Sequence, residues 1–129
     1  MEYLNTGKAF ESKFAKKMRD DGYLVIRMPD YANSVNTGKA VCDFIVLLNG
    51  QVTFYELKHT NNKISFSLSL IKPHQVKSLL DIEAAGVKTC ILIEDGDKNW
   101  YSITPTFVKD LILKGQKSFK FWNLTEVDK

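Results

Sequence analysis

The chain has 129 residues, 44% of them hydrophobic and 26% charged, so it is long enough for one globular domain, over residues 1–129, that needs no disulfide or structural metal. No apolar run reaches the roughly 18 residues of a membrane span and no basic-then-apolar leader follows the start, so we expect a cytoplasmic protein without membrane contact. The net charge is only +3, but it is unevenly distributed. Residues 1–77 contain eleven Lys and Arg against seven Asp and Glu, a net +4, whereas residues 78–129 contain seven against eight, a net −1. The positive charge of the first part of the chain suits a polyanionic partner.

The predicted elements of the first half lead to a β-hairpin. Residues 5–21 carry apolar residues at helical spacing, and Asn5 or Thr6 can cap this helix. Residues 23–28 form a predicted strand, and residues 29–40 form a long polar loop of the kind that is often functional. Residues 41–58 contain two apolar and β-branched runs joined by Asn49 and Gly50. Asn-Gly between such runs is the strongest short-range hairpin signal.

The second half continues the sheet and adds helices. Residues 65–70 form an edge strand or extended loop, followed by a helix at 73–85, a strand at 87–94, a turn at 95–98, a strand at 99–103 and a helix at 105–114. Phe119, Phe121 and Trp122 either pack a last strand onto the sheet or mark a dimer surface, and we favour core packing. This order predicts an α/β fold with a mixed sheet, a central antiparallel hairpin and helices on its faces.

The two cysteines do not suggest a metal site. Cys42 and Cys90 each lie in an apolar run, without CxxC spacing or a neighbouring pair of histidines. This pattern disfavours zinc and predicts buried, reduced thiols.

The hairpin turn also predicts a register. A two-residue turn pairs Leu48 with Gln51, which places Asp43 opposite Glu56 further along the two strands. Directly opposed side chains have Cβ atoms roughly 4.5–5.5 Å apart, so the two carboxylates need a cation between them or one of them must take up a proton. Lys58 lies on the same face as Glu56 because side chains alternate along a strand.

This combination of Asp43, Glu56 and Lys58 is a plausible site for phosphodiester cleavage, since it offers hard oxygen ligands for a divalent ion and one fixed positive charge. The alternative is a solvated hairpin with an ordinary ion pair between Glu56 and Lys58. The opposed Asp43, on an otherwise apolar strand, favours the site.

Two further residues admit two interpretations from the pattern alone. Glu11 lies at the edge of the apolar face of the first helix, where it is either a surface residue paired with Lys8 or part of a site. Lys39, at the end of the long loop, is either solvated or a phosphate contact.

Three motifs together resemble the PD-(D/E)xK nuclease superfamily, whose fold is restriction-endonuclease-like, and within it the RecU-type Holliday junction resolvases. Residues 5–11 match the RecU-like Asn-x-Gly-x-x-Phe-Glu, residues 56–60 match Glu-x-Lys-x-Thr, and residues 74–75 match its His-Gln. Twelve residues separate Asp43 from the second motif, and the archaeal junction resolvases, which have shorter chains, are a second match. The chain departs from RecU at Cys42, where that pattern has Thr, and its 29–40 loop is shorter than the central stalk of the family.

The resemblance implies metal-dependent hydrolysis of DNA at branched structures such as four-way junctions, by a homodimer in a bacterial or phage-infected cell. It implies Mg²⁺, or Mn²⁺ in its place, held by Asp43, Glu56, the Leu57 carbonyl and Glu11, with Lys58 and Gln75 acting on the attacking water or the phosphate. The residues that we predict to contact DNA are Lys8, Lys39, His59, Thr60, Lys63 and His74. The rival hypotheses are another structure-selective repair, phage or restriction-type nuclease, a non-catalytic DNA-binding module of the same fold, and an unrelated α/β interaction protein.

Overall fold

A computed structural model describes residues 6–29 and 42–127 of the chain. The elements in these ranges are α1 Thr6–Asp20, β1 Leu24–Arg27, β2 Phe44–Leu48, β3 Gln51–His59, β4 Ser65–Ser67, α2 Pro73–Ala84, β5 Lys88–Glu94, β6 Trp100–Ile103, α3 Pro105–Leu113, β7 Ser118–Lys120 and β8 Glu126–Val127. None of these helices has the length and hydropathy that crossing a bilayer would take. The predicted loop at 29–40 falls outside the described residues except for Pro29.

The central sheet has the strand order β1-β2-β3-β5-β6-β8. β3 and β5 run parallel, and the other neighbouring strands of this sheet run antiparallel. The parallel pair is connected through α2, as a crossover between parallel strands requires. The predicted mixed sheet with a central antiparallel hairpin is therefore confirmed.

The turn at Asn49 and Gly50 has the geometry that its sequence predicts. Both residues have positive φ, 52° and 80° respectively, as a type I′ turn requires. The ladder pairs Leu48 with Gln51 and ends with Phe44 opposite Tyr55, so the register predicted from the turn is confirmed. β3 continues well beyond this ladder to His59, where β5 is its other neighbour.

Strand alternation divides the core between the two faces of the sheet. On one face α1 buries Phe10 and Phe14 against Phe44, Leu57 and Trp100. On the other face the buried residues of α2 and α3 pack on β5 and β6; this cluster includes Val76, Leu79, Val108, Ile91 and Ile103. Because Glu56 precedes Leu57, its side chain points to the face of α2 and α3, opposite to α1.

The C-terminal aromatics have two different environments. β7 pairs with β4 in a separate two-stranded sheet, where Phe119 and Phe121 are buried in the core beside Phe66. The predicted core packing is confirmed for Phe119 and Phe121. For Trp122 the prediction is wrong, because this residue is 71% exposed. The last strand on the central sheet is instead β8, beside β6.

Leu79→Ala tests the packing of α2 on the sheet. Leu79 is fully buried, whereas Leu113 in α3 is 74% exposed. We expect Leu79→Ala to lower the free energy of unfolding by about 2–5 kcal/mol, because it leaves a cavity in the core. Leu113→Ala is the matched control and should change it by less than about 0.5 kcal/mol. Urea unfolding measures both, and equal effects would contradict the assigned packing.

Candidate active site

Asp43 lies one residue before β2, where the hairpin ladder stops. Its backbone N–H donates to the Tyr55 carbonyl at 2.9 Å, and its Oδ2 accepts a hydrogen bond from the Leu57 N–H at 2.8 Å. The carboxylate thus takes a position that a main-chain carbonyl would occupy if the ladder continued. This bond holds the Asp43 side chain against the strand that carries Glu56.

Glu56 is a buried carboxyl group, 3% exposed. Burial, together with the neighbouring Asp43 charge and a hydrogen bond with Asp43, raises the pKa of Glu56 to about 8, although Lys58 opposes this shift. Burial also raises the pKa of Asp43, while the Leu57 N–H, Lys58 and Glu56 act to lower it. In the protein without a metal, the proton shared by this pair therefore belongs to Glu56 near neutral pH.

Gln75 holds Glu56 from the first turn of α2. Its Oε1 accepts the Lys72 N–H at 2.9 Å, which leaves its Nε2 to donate to Glu56 Oε2 at 2.9 Å. The helix begins at Pro73, whose missing N–H suits the first helical position. The start of α2 thus fixes which end of the Gln75 amide faces the site.

Lys58 supplies the positive charge nearest to the two carboxyl groups. Its Nζ lies 3.5 Å from Glu56 Oε2, and its side chain is 17% exposed. One ammonium group cannot balance two carboxylates, which is consistent with the raised pKa of Glu56.

Glu11 lies apart from the carboxyl pair. It accepts a hydrogen bond from Arg27 at 2.6 Å, and the charge of Lys8, the predicted partner, also acts on it. Burial and the nearby Asp43 charge raise the pKa of Glu11, although Arg27 and Lys8 oppose this shift. Glu11 therefore interacts electrostatically with Asp43 from the α1 side of the sheet.

The residues fit a divalent cation by their chemistry. Asp43 and Glu56 offer hard carboxylate oxygens, the ligands that Mg²⁺ prefers, and a cation would favour the ionised form of Glu56. Within residues 6–29 and 42–127, however, no three side chains of His, Cys, Asp or Glu are close enough to enclose an ion. Two of the predicted ligands, Asp43 and Glu56, thus lie together, while metal binding by Glu11 and by the Leu57 carbonyl stays a prediction.

Cys42 is next to these carboxyl groups but is not a nucleophile. It is buried and unpaired with Cys90. Burial and the charges of Glu56 and Asp43 raise the pKa of the thiol to about 12. The predicted buried, reduced thiols are confirmed, and Cys42 stays protonated at neutral pH.

The residues predicted to contact DNA are spread over several elements. Lys8 is exposed on α1 and His74 is half-buried in the first turn of α2. Thr60 Oγ1 accepts the Asn62 N–H at 3.1 Å in the turn after β3, and Lys63 pairs with Asp97 at 3.3 Å on the surface. Lys39 lies outside the described residues, and DNA contact by all of these residues stays a prediction.

His59 occupies a different environment from the others in this set. Its side chain is 8% exposed, and its Nδ1 is 2.9 Å from Glu94 Oε1 while its Nε2 is 3.1 Å from Asn61 Oδ1. Both ring nitrogens therefore already have partners inside the protein.

Sequence reasoning missed Arg27 and Glu94. Arg27 ends a short strand, and nothing in its spacing connects it with Glu11 in the preceding helix. Glu94 ends an apolar run beside a turn, where a charge usually faces solvent, but it is 1% exposed. The one sequence signal for Glu94 was that its predicted strand, residues 87–94, belongs to the same sheet as the strand that carries Glu56.

Glu56→Gln tests the charge state of the carboxyl pair. The folded-state pKa of about 8 lies above the ordinary 4.5, so the stabilisation from the bound proton is complete below pH 4.5 and is lost as the pH rises through about 8. We expect the Tm of the wild type in EDTA to fall over this range relative to Glu56→Gln, which has no carboxyl to titrate. Thermal unfolding from pH 5 to 9 measures this, with the exposed Glu126→Gln as control, and parallel curves for wild type and Glu56→Gln would contradict it.

The fold is similar to that of a solved junction resolvase. Hjc, a Holliday junction resolvase from the archaeal hyperthermophile Archaeoglobus fulgidus, superposes with a TM-score of 0.59 over 78% of this chain and 78% of its own, at 14% identity. At that identity the similarity shows the fold alone, and it confirms the predicted restriction-endonuclease-like class. No curated protein matches the sequence. The family model described as Recombination protein U matches residues 6–128, nearly the whole sequence, and the chain therefore belongs to the RecU family.

Proposed function

We propose that this chain is a divalent-metal-dependent endonuclease that resolves four-way DNA junctions by hydrolysing phosphodiester bonds. Its family is one of Holliday junction resolvases, which are nucleases acting on branched DNA. The metal dependence, the residues of the site and the dimeric state are the parts that we infer from the geometry and the resemblance.

The observation that carries the proposal is the carboxyl pair formed by the half-buried Asp43 and the buried Glu56. Burial, and after it the neighbouring Asp43, raises the pKa of Glu56 to about 8, and Lys58 lies 3.5 Å from Glu56. Holding a half-buried carboxyl group beside a buried one costs stability. Such an arrangement is typical of a functional site, where the missing positive charge is supplied by a ligand.

Asp43 and Glu56 would hold Mg²⁺, or Mn²⁺ in its place, with the Leu57 carbonyl and Glu11 as further oxygen ligands. When bound, the ion supplies Lewis-acid polarisation of the phosphate and charge neutralisation. Lys58 would stabilise the negative charge that develops on the phosphate, or hold the attacking water.

Gln75 and Arg27 would act on the positions of the carboxylates. Gln75 donates to Glu56 and so orients the oxygens of that side chain. Arg27 donates a hydrogen bond to Glu11 Oε1 at 2.6 Å and would orient Glu11 so that its second oxygen ligates the ion.

Cleavage of a labelled four-way junction is the direct test of the proposal. We expect paired cuts with Mg²⁺, none in EDTA, and a loss of at least about 100-fold in Asp43→Asn, because a metal carboxylate is removed. Linear duplex of the same sequence is the control substrate, and the exposed Asp110→Asn is the control variant. Cuts in both DNAs would indicate a nuclease without junction selectivity, and tight binding without cuts would indicate a non-catalytic module.

Oligomeric state tests the resolvase role separately. Two symmetric cuts require two active sites, so we expect a C2 homodimer in solution at micromolar concentration, with or without junction DNA. Sedimentation velocity measures the mass against the 14.7 kDa of one chain. A monomer under both conditions would contradict paired cutting and favour a simple nicking enzyme.

A further inference from the structure

A second buried carboxylate lies on the opposite face of the sheet from the candidate metal ligands. Glu94 ends β5 and is 1% exposed. Its Oε2 accepts hydrogen bonds from Lys13 Nζ at 2.6 Å and Trp100 Nε1 at 3.0 Å, and its Oε1 lies 2.9 Å from His59 Nδ1. Four elements, α1, β3, β5 and β6, therefore meet at one carboxylate.

This carboxylate stays charged. Burial acts to raise its pKa, but hydrogen bonds from Lys13, Trp100 and His59 and the charge of Lys13 outweigh burial and hold the pKa of Glu94 below its ordinary range. Hydrogen bonds to an ionised group are shorter and stronger than those between neutral groups. Glu94 is thus a firm anchor for the three side chains that bind it.

Two of these three side chains adjoin the residues of the proposed metal site. His59 directly follows Lys58 on β3, and strand alternation sends the two side chains to opposite faces of the sheet. Lys13 lies two residues after Glu11 on α1. The backbone is also tied, because the Thr60 N–H donates to the Glu94 carbonyl at 3.0 Å.

We propose that Glu94 is a positioning residue: by binding His59 and Lys13 it sets the end of β3 that carries Lys58, and the turn of α1 that carries Glu11, relative to the Asp43–Glu56 pair. The inference rests on the proposed nuclease function and assigns to His59 a role in this network in place of DNA contact. Catalytic groups must be held within about 0.5 Å of their productive geometry, and a displacement of about 1 Å can cost about 100-fold in rate.

Glu94→Gln keeps the shape of the side chain and removes its charge. Junction cleavage by this variant should show kcat lowered by about 10- to 100-fold, while KM and the dissociation constant for the junction in EDTA change by less than about 2-fold, because DNA contacts stay in place. The matched control is Asp95→Asn. Asp95 is the next residue and is 2% exposed, but it accepts hydrogen bonds from Asp97 and Asn99 within its own turn, so its variant should retain kcat once folded.

Lys13→Met tests the same network without a buried substitution. The Lys13 side chain is 43% exposed, so the variant should fold, and we expect kcat to fall by about 3- to 10-fold at unchanged KM. Lys17→Met is its control on the same helix, since Lys17 pairs with Asp21 at 2.9 Å and does not contact Glu94. An equal loss in both lysine variants would overturn the inference.

Backbone NMR separates this inference from the proposed function. The amide resonance of Lys58 should shift in metal-free Glu94→Gln and stay in place in metal-free Asp95→Asn, whether or not the protein cuts DNA. An unchanged Lys58 resonance, unchanged kcat in Glu94→Gln, or an equal loss of kcat in Asp95→Asn would each overturn the positioning role. A wild type that cuts no junction while the resonance shifts as expected would overturn only the proposed function.

Discussion

The proximity of two carboxyl groups, the half-buried Asp43 and the buried Glu56, is the constraint around which the rest of the site is arranged. The Asn49 and Gly50 turn fixes the register that brings them together, and the Leu57 N–H holds Asp43 in place where the ladder ends. Two negative charges cannot be kept side by side in a low-dielectric environment without compensation. Lys58 and Gln75 supply part of this compensation, and a proton on Glu56 supplies the rest.

β3 contributes residues to two polar clusters, one around Glu56 and one around Glu94. The two clusters stabilise their buried carboxyl groups in different ways. On the face of α2, burial and the neighbouring Asp43 raise the pKa of Glu56 to about 8, and Lys58 opposes them only in part. On the face of α1, Glu94 has three donors and its pKa falls. Every buried side-chain nitrogen and oxygen within the described parts of the chain has a hydrogen-bond partner. The difference is therefore one of charge: the first cluster is suited to take up a cation and the second to hold structure.

Patterns of local spacing predicted the elements well and long-range partners poorly. The helices at α1, α2 and α3, the hairpin and the β5 strand follow from apolar periodicity, Pro at helix starts and Gly after helix ends. Glu11 could be placed at the edge of an apolar stripe, but its partner Arg27 comes from a strand whose path depends on the whole sheet. Trp122 follows two buried phenylalanines in the sequence. It is nevertheless exposed, in the 3₁₀ helix Phe121–Asn123, and local spacing does not predict how this helix is oriented.

The sequence by itself determined the hairpin, its register and the proximity of Asp43 to Glu56, because a two-residue turn and strand alternation are local rules that need no other part of the chain. It also identified the family, through motifs in a fixed order. Only the tertiary structure decided that Gln75 reaches Glu56, that Arg27 holds Glu11 and that Glu94 joins Lys13 to His59. These contacts link residues 16 to 81 positions apart, and their formation depends on how the helices pack across a sheet whose full strand order no local pattern specifies.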